Sequence, residues 1–214
     1  MPQSVLKLID HRTVVPVLTI NDPQTAVPLA EALSRAGLSV VEVTLRTESA
    51  LEAAEAMIKA LPKLVVGIGT VVTADQLKAG CDCGARFAVS PGLTQALAEA
   101  AQGLGIPYLP GVQTVSEVMR AQEFAFDALK LFPAELAGGV KKLRQFAALF
   151  PAVSFFPTGG INEENLRNYL QEPNVFSAGG SWLAPTELID ASDWPGIEER
   201  AGRAVKICQQ IANG

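Results

Sequence analysis

The sequence predicts an α/β protein, a (β/α)8 barrel of the TIM type with a parallel eight-stranded core. Three observations carry that expectation. Short β-branched runs alternate eight times with longer runs rich in Ala and Leu. The short runs are almost continuously apolar, which is the pattern of parallel strands covered by helices. No shift in composition divides the chain, so residues 1–214 are expected to form one barrel domain. That length lies near the lower end of the ~200 or more residues usual for this architecture. A doubly wound open sheet is the competing arrangement. It normally has fewer strands and carries G-x-G-x-x-G after the first, where this chain reads Asn21-Asp-Pro23.

Strands are expected at residues 14–20, 39–45, 64–70, 85–90, 106–110, 128–132, 153–157 and 175–178, each followed by a turn cluster. Helix starts fall between them. Asp22-Pro23 supplies an N-cap and a proline at the first helical position. Ser49 with Glu52, Thr73 with Gln76, and Thr114 with Glu117 have capping-box spacing. Gly37, Gly80 and Gly103 stand where helices should end. Residues 195–212 form a closing helix.

Composition narrows the function classes. Hydrophobic residues make up 49% and charged residues 18%, the balance of a folded globular chain. The net charge is −5 with no basic tract, so no nucleic-acid partner is expected. Residues 1–10 lack the basic start and long apolar core of a signal peptide. Every apolar run is interrupted before the ~18 residues of a membrane span, so no membrane partner is expected. Cys81, Cys83 and Cys208 are odd in number, and His11 is the only histidine. A zinc site is therefore not expected, and reduced structural thiols in a cytoplasmic protein are.

Two strands carry charges that a buried strand should not hold. In Val40-Val-Glu-Val-Thr-Leu-Arg46, period two puts Val41, Val43 and Leu45 on one face and Glu42, Thr44 and Arg46 on the other. The apolar face packs against helices, so the polar face points into the barrel. In Asp127-Ala-Leu-Lys-Leu-Phe-Pro133, the same logic turns Leu129 and Leu131 outward and Ala128, Lys130 and Phe132 inward. The barrel would then enclose Glu42, Arg46 and Lys130, which must satisfy one another or a ligand. Lys130 has two readings. It snorkels to water from an edge strand, or it is a pocketed amine able to form a Schiff base with a ketone.

Active sites in barrels of this type form at the C-terminal strand ends. Here Gly159-Gly160 precedes Asn162-Glu-Glu-Asn165, a plausible helix start, and Gly179-Gly180-Ser181 follows the eighth strand. Free backbone N–H groups at glycine turns and helix starts bind phosphate. The loops after strands seven and eight are the usual phosphate position in this fold.

These motifs together resemble the 2-dehydro-3-deoxy-6-phosphogluconate (KDPG) aldolase and 4-hydroxy-2-oxoglutarate (KHG) aldolase family. The matching blocks are Val41-Glu-Val-Thr-Leu-Arg-Thr47, Gly67-Ile-Gly-Thr-Val71, Ala88-Val-Ser-Pro-Gly-Leu-Thr94, Leu109-Pro-Gly111, Leu129-Lys-Leu-Phe-Pro-Ala-Glu135, Phe156-Pro-Thr-Gly-Gly-Ile161 and Ala178-Gly-Gly-Ser-Trp-Leu183. They run in order over nearly the whole chain. Leu131, where an aromatic is common, and Cys81-Asp-Cys83, in a usually plainer stretch, depart from the pattern.

The resemblance implies a class I lyase that needs no metal or cofactor, cytoplasmic and homotrimeric, in the Entner–Doudoroff pathway. Its substrates would be a phosphorylated keto-sugar acid, split to pyruvate and glyceraldehyde 3-phosphate, and KHG, split to pyruvate and glyoxylate. It implies Lys130 as the Schiff-base residue and Glu42 as general acid/base. Arg46, Thr70 and Pro91 would hold the keto-acid carboxylate, and Phe132 would wall the pyruvyl pocket. Thr158, Gly159, Gly160, Gly180 and Ser181 would hold the far end and its phosphate. Thr158 resembles the gluconate rather than the galactonate branch. A different phosphate-binding barrel enzyme and a non-catalytic sugar-phosphate sensor are the alternatives.

Overall fold

A computed structural model describes residues 4–212. Its strands are β1 (Thr13–Leu18), β2 (Val40–Thr44), β3 (Val65–Gly69), β4 (Phe87–Val89), β5 (Tyr108–Leu109), β6 (Gly111–Val112), β7 (Ala128–Leu131), β8 (Ser154–Pro157) and β9 (Ser177–Gly180). They pair in two parallel sheets, ordered β5-β4-β3-β2-β1-β9 and β6-β7-β8. Parallel pairing needs a crossover between neighbours. Helices supply it: α1 (Ala26–Arg35), α2 (Ala50–Ala60), α3 (Ala74–Asp82), α4 (Gln95–Leu104), α5 (Val115–Glu123), α6 (Gly139–Leu149) and α7 (Leu166–Leu170). The short α8 (Thr186–Asp190) leads into the closing α9 (Trp194–Ala212), which packs on α1, α7 and β1.

The expected fifth strand, residues 106–110, is instead two short pieces. Pro110 separates them, because a proline has no N–H to give to the ladder. Its carbonyl still accepts from the Lys130 N–H at 2.9 Å. Isolated parallel bridges, Phe155↔Val175 and Thr158↔Gly179, link β8 to the β9 segment. The last strand lies at Ser177–Gly180 rather than at residues 175–178, since its ladder with β1 runs from Thr13↔Ser177 to Pro16↔Gly180.

Side-chain alternation divides the interior into two clusters. Val41, Val43, Leu129 and Leu131 pack outward with the helices, as the period-two reading required. An inner cluster holds Val15, Val40, Phe87, Val89, Leu109, Ala128, Phe156 and Phe176. The 3-10 turn Val5–Lys7 precedes β1, and Val5 and Ile9, each 1% exposed, complete that inner cluster. Ser4 ties this turn to the rest through Asp127 Oδ1, 2.9 Å away.

Helix ends test the local rules. Asp22 accepts from the Gln24 N–H and Pro23 opens a 3-10 turn before α1. Thr73 with Gln76 and Thr114 with Glu117 form reciprocal capping boxes. Ser49 does not cap α2. Its hydroxyl lies 2.8 Å from the Ile20 carbonyl and 2.9 Å from that of Asn21, which compete for it. Gly37 follows α1 with φ 95. Gly80 and Gly103 lie inside α3 and α4 instead of ending them. Gly80 is where α3 meets the sheet, since a Cβ there would stand 1.8 Å from Ile68 Cδ1. Gly105, with φ 68, ends α4. The 162–165 segment is a turn closed by Asn162 and Asn165, so α7 starts after it.

Thr73→Ala and Thr114→Ala should each lower stability by about 1 kcal/mol through loss of an N-cap acceptor. Urea denaturation measures this. Unchanged midpoints in both variants would mean the boxes contribute nothing.

Candidate active site

Glu42 lies in the middle of β2, opposite Val17 on β1 and Gly67 on β3. Lys130 lies on β7, opposite Gly111 on β6 and Phe156 on β8. Both side chains take the inward positions of their strands, and they meet across the interior. Lys130 Nζ stands 3.3 Å from Glu42 Oε1, with Glu42 fully buried and Lys130 5% exposed. Gly69 on β3 makes room for the carboxylate, since a Cβ there would sit 2.0 Å from Glu42 Oε1. Lys130 Nζ also lies 5.0 Å above the Phe132 ring, a cation–π contact that helps hold the amine.

Magnitudes decide what this pair is for. At 3.3 Å the attraction of two opposite charges is about 5 kcal/mol in an effective dielectric of about 20. Removing two ions from water costs several kcal/mol each. The net stabilisation is small, so the pair adds little to the stability of the fold. Glu42 Oε2 is buried and has no hydrogen-bond partner. One carboxylate oxygen therefore faces the amine, and the other is buried without a protein partner.

The remaining sequence-predicted residues cluster at the C-terminal ends of the strands. Thr44 does point inward, and its hydroxyl donates to the Leu18 carbonyl at 2.8 Å. Arg46 is a correction. β2 stops at Thr44, the chain turns, and Arg46 is exposed beyond the strand end instead of enclosed beside Lys130. Alternation holds only while the backbone stays extended. Thr70 follows β3 with φ 58, a left-handed conformation unusual for a β-branched residue. Such strain persists where the surroundings impose it and collects at functional sites. The turn bearing Pro91 is fixed by Ser90, whose hydroxyl lies 2.7 Å from the Gly92 carbonyl and 2.6 Å from the Tyr108 hydroxyl.

Thr158 follows β8, is 5% exposed, and has a buried hydroxyl with no partner. Gly159 and Gly160 follow with φ 96 and 81, and Asn165 Nδ2 donates to the Gly160 carbonyl at 2.9 Å. Gly180 is buried at the end of β9, and Ser181 is exposed at the first position of a 3-10 turn. Sequence reasoning missed Gly69 as the space for Glu42, although Gly67 and Gly69 alternate in phase with the inward positions of β3. It also missed Tyr169, which donates a hydrogen bond to Glu135.

Among the described residues, no group of three or more His, Cys, Asp and Glu could hold a metal ion. The cysteines are free, and burial pushes the Cys208 thiol up to about 11. No helix among the described residues is long and apolar enough to cross a membrane.

A family model described as KDPG and KHG aldolase matches residues 5–200. A 2-dehydro-3-deoxy-phosphogluconate aldolase of Pseudoalteromonas atlantica is 48% identical over 90% of this chain and 89% of its own length. The KHG/KDPG aldolase of Escherichia coli K12 is 46% identical over 90% of this chain and 91% of its own. The crystal structure of a Legionella pneumophila KDPG aldolase, with pyruvate captured as a covalent carbinolamine, aligns with a TM-score of 0.88. It is 44% identical and covers 89% of this chain and 93% of that one.

Lys130→Met should lower stability by about 3 kcal/mol, because it leaves the Glu42 carboxylate buried and unpaired. The double variant Lys130→Met/Glu42→Leu should recover most of that loss. A double variant as unstable as the sum of the two singles in chemical denaturation would contradict this account of the pair.

Proposed function

The chain belongs to the KDPG and KHG aldolase family, and we propose that Lys130 is the amine through which it works, with Glu42 as its proton carrier. The enzyme is an aldehyde-lyase of the Schiff-base class. It cleaves KDPG to pyruvate and glyceraldehyde 3-phosphate, and the family activity extends to KHG, giving pyruvate and glyoxylate. The observation that carries the site assignment is the buried amine 3.3 Å from a carboxylate whose second oxygen has no partner.

The chemistry follows from that geometry. Only the neutral amine attacks the C2 ketone, and Glu42 Oε1 is placed to accept the proton that Lys130 gives up. Attack forms a carbinolamine, and Glu42 returns the proton to its hydroxyl, which leaves as water and gives an iminium. Glu42, directly or through one water, removes the C4 hydroxyl proton. The C3–C4 bond breaks, its electron pair flows to the iminium nitrogen, and the aldehyde leaves. The enamine then takes a proton at C3 from Glu42, and water releases pyruvate and restores the amine.

Binding is divided along the strand ends. Arg46, at the mouth, can close bidentately on the keto-acid carboxylate, with Thr70 and Pro91 beside it. Phe132, under the amine, walls the pyruvyl pocket. Thr158, Gly159, Gly160, Gly180 and Ser181 hold the far hydroxyls and the phosphate. The buried Thr158 hydroxyl has no protein partner, which supports its part in holding that end of the substrate.

The architecture we infer is one domain, residues 1–214, with the two sheets as arcs of an eight-stranded barrel. Two features support it. β5 and β6 adjoin across Pro110, and two bridges span β8 and β9. A cytoplasmic homotrimer in the Entner–Doudoroff pathway completes the reading.

Reduction with borohydride in the presence of pyruvate should leave a mass increment on Lys130, and an unmodified Lys130 would falsify the assignment. Lys130→Ala should lose turnover by several orders of magnitude. Glu42→Gln should lower kcat by about 10²- to 10⁴-fold, the usual range for a general acid/base. Light scattering should return the mass of three chains, and a monomer mass would remove the trimer.

A further inference from the structure

The Phe132-Pro-Ala-Glu135 segment that follows the lysine strand ends in a carboxylate with no part in the chemistry above. Its surroundings assign it one. Two backbone hydrogen bonds join this segment to the loop after β8: Ala134 N–H to the Thr158 carbonyl at 2.8 Å and Glu135 N–H to the Gly159 carbonyl at 3.1 Å. The contact between the two loops is close. A Cβ on Gly159 would stand 3.1 Å from Pro133 Cα, and one on Gly160 would stand 2.5 Å from Glu135 Cγ. The Glu135 stem therefore lies directly against the Gly159-Gly160 turn and limits how that turn can sit.

The Glu135 carboxylate is held in its turn by α7. Tyr169, 1% exposed, donates its hydroxyl hydrogen to Glu135 Oε1. Burial raises the Tyr169 hydroxyl above its ordinary range, and the hydrogen bond and charge of Glu135 raise it further, so it stays a donor. Gly139, at the start of α6 with φ 57, leaves space for that hydroxyl, since a Cβ there would lie 3.1 Å from it. Asn165, one residue before α7, holds the Gly160 carbonyl from the same side. The α7 end thus grips the glycine turn twice, once directly and once through Glu135.

We propose that Glu135 and Tyr169 are a positioning pair that fixes the Gly159-Gly160 turn relative to Lys130, and so sets affinity for the phosphorylated end of the substrate. The proposal rests on the reading of that turn as the phosphate anchor. A rigid span between amine and anchor matters because a turn already held in its binding geometry spends no affinity on being ordered when the phosphorylated substrate arrives. The Tyr169 hydrogen bond also keeps the Glu135 carboxylate turned toward α7, away from an incoming phosphate that it would repel.

The test compares KDPG, which carries a phosphate, with KHG, which does not. Tyr169→Phe and Glu135→Ala should each raise KM for KDPG by about tenfold, the equivalent of one lost hydrogen bond to a charged group. The kcat for KDPG, both constants for KHG, and borohydride trapping with pyruvate should stay within about twofold of wild type. Glu135→Gln keeps the stem and an acceptor for Tyr169, so it should restore most of what Glu135→Ala loses. An unchanged KM for KDPG, an equal rise for both substrates, or a Gln variant as impaired as the Ala variant would each overturn the proposal. If Tyr169→Phe does not fold, the two Glu135 variants decide the matter alone. Failure of the wild-type protein to be trapped by pyruvate is a separate result, and it would remove the Schiff-base reading on which the pair depends.

Discussion

A buried lysine and glutamate in direct contact sit at the point where this fold and its chemistry meet. Neither charge could remain inside the protein without the other. Their strands lie in different sheets, and their residues are 88 positions apart. Keeping them in contact requires the register of β1, β2 and β3 on one side and of β6, β7 and β8 on the other. A slip of one residue in β2 or β7 would turn the charged side chain into the helix layer. The ladder is thus constrained by electrostatics as well as by apolar burial.

The surrounding residues are arranged to leave that contact incomplete. Gly69 opens space for the carboxylate without filling it, and Phe132 supports the amine with a weak contact instead of a second acceptor. Glu42 Oε2 and the Thr158 hydroxyl are left without partners in a buried setting, where almost every polar atom finds one. Asn174 Oδ1 and Trp182 Nε1 are unpartnered as well, and each such atom costs the free protein its desolvation energy. The strained Thr70 backbone lies at the same end of the strands. The opposite end is closed mainly by the apolar inner cluster, with Ser177 and the Ser4–Asp127 hydrogen bond at its edge.

Much of this was legible in the sequence, because it rests on periodicity. Two-residue alternation placed Glu42, Thr44 and Lys130 inward, and Val41, Val43, Leu129 and Leu131 outward. Four-residue cap signals located α3 and α5. What escaped depends on contacts between distant positions or on where a pattern stops. Arg46 continues the alternation of β2 in sequence, yet the strand has ended. Ser49 has the right spacing for a box, but its hydroxyl is taken by two carbonyls about thirty residues earlier. Gly80 looks like a terminator and is a packing contact with Ile68. Glu135 and Tyr169 have no spacing rule to join them, since only the folded loops bring them together.

The Val5–Lys7 turn has a kinetic counterpart. Its Val5 shares a buried cluster with Phe156 and Phe176, which lie far along the sequence. Strand β1 likewise waits for β9 to complete its second ladder. Both contacts close long loops of chain, and the entropy of closing them makes pairings of this kind the slow ones to form.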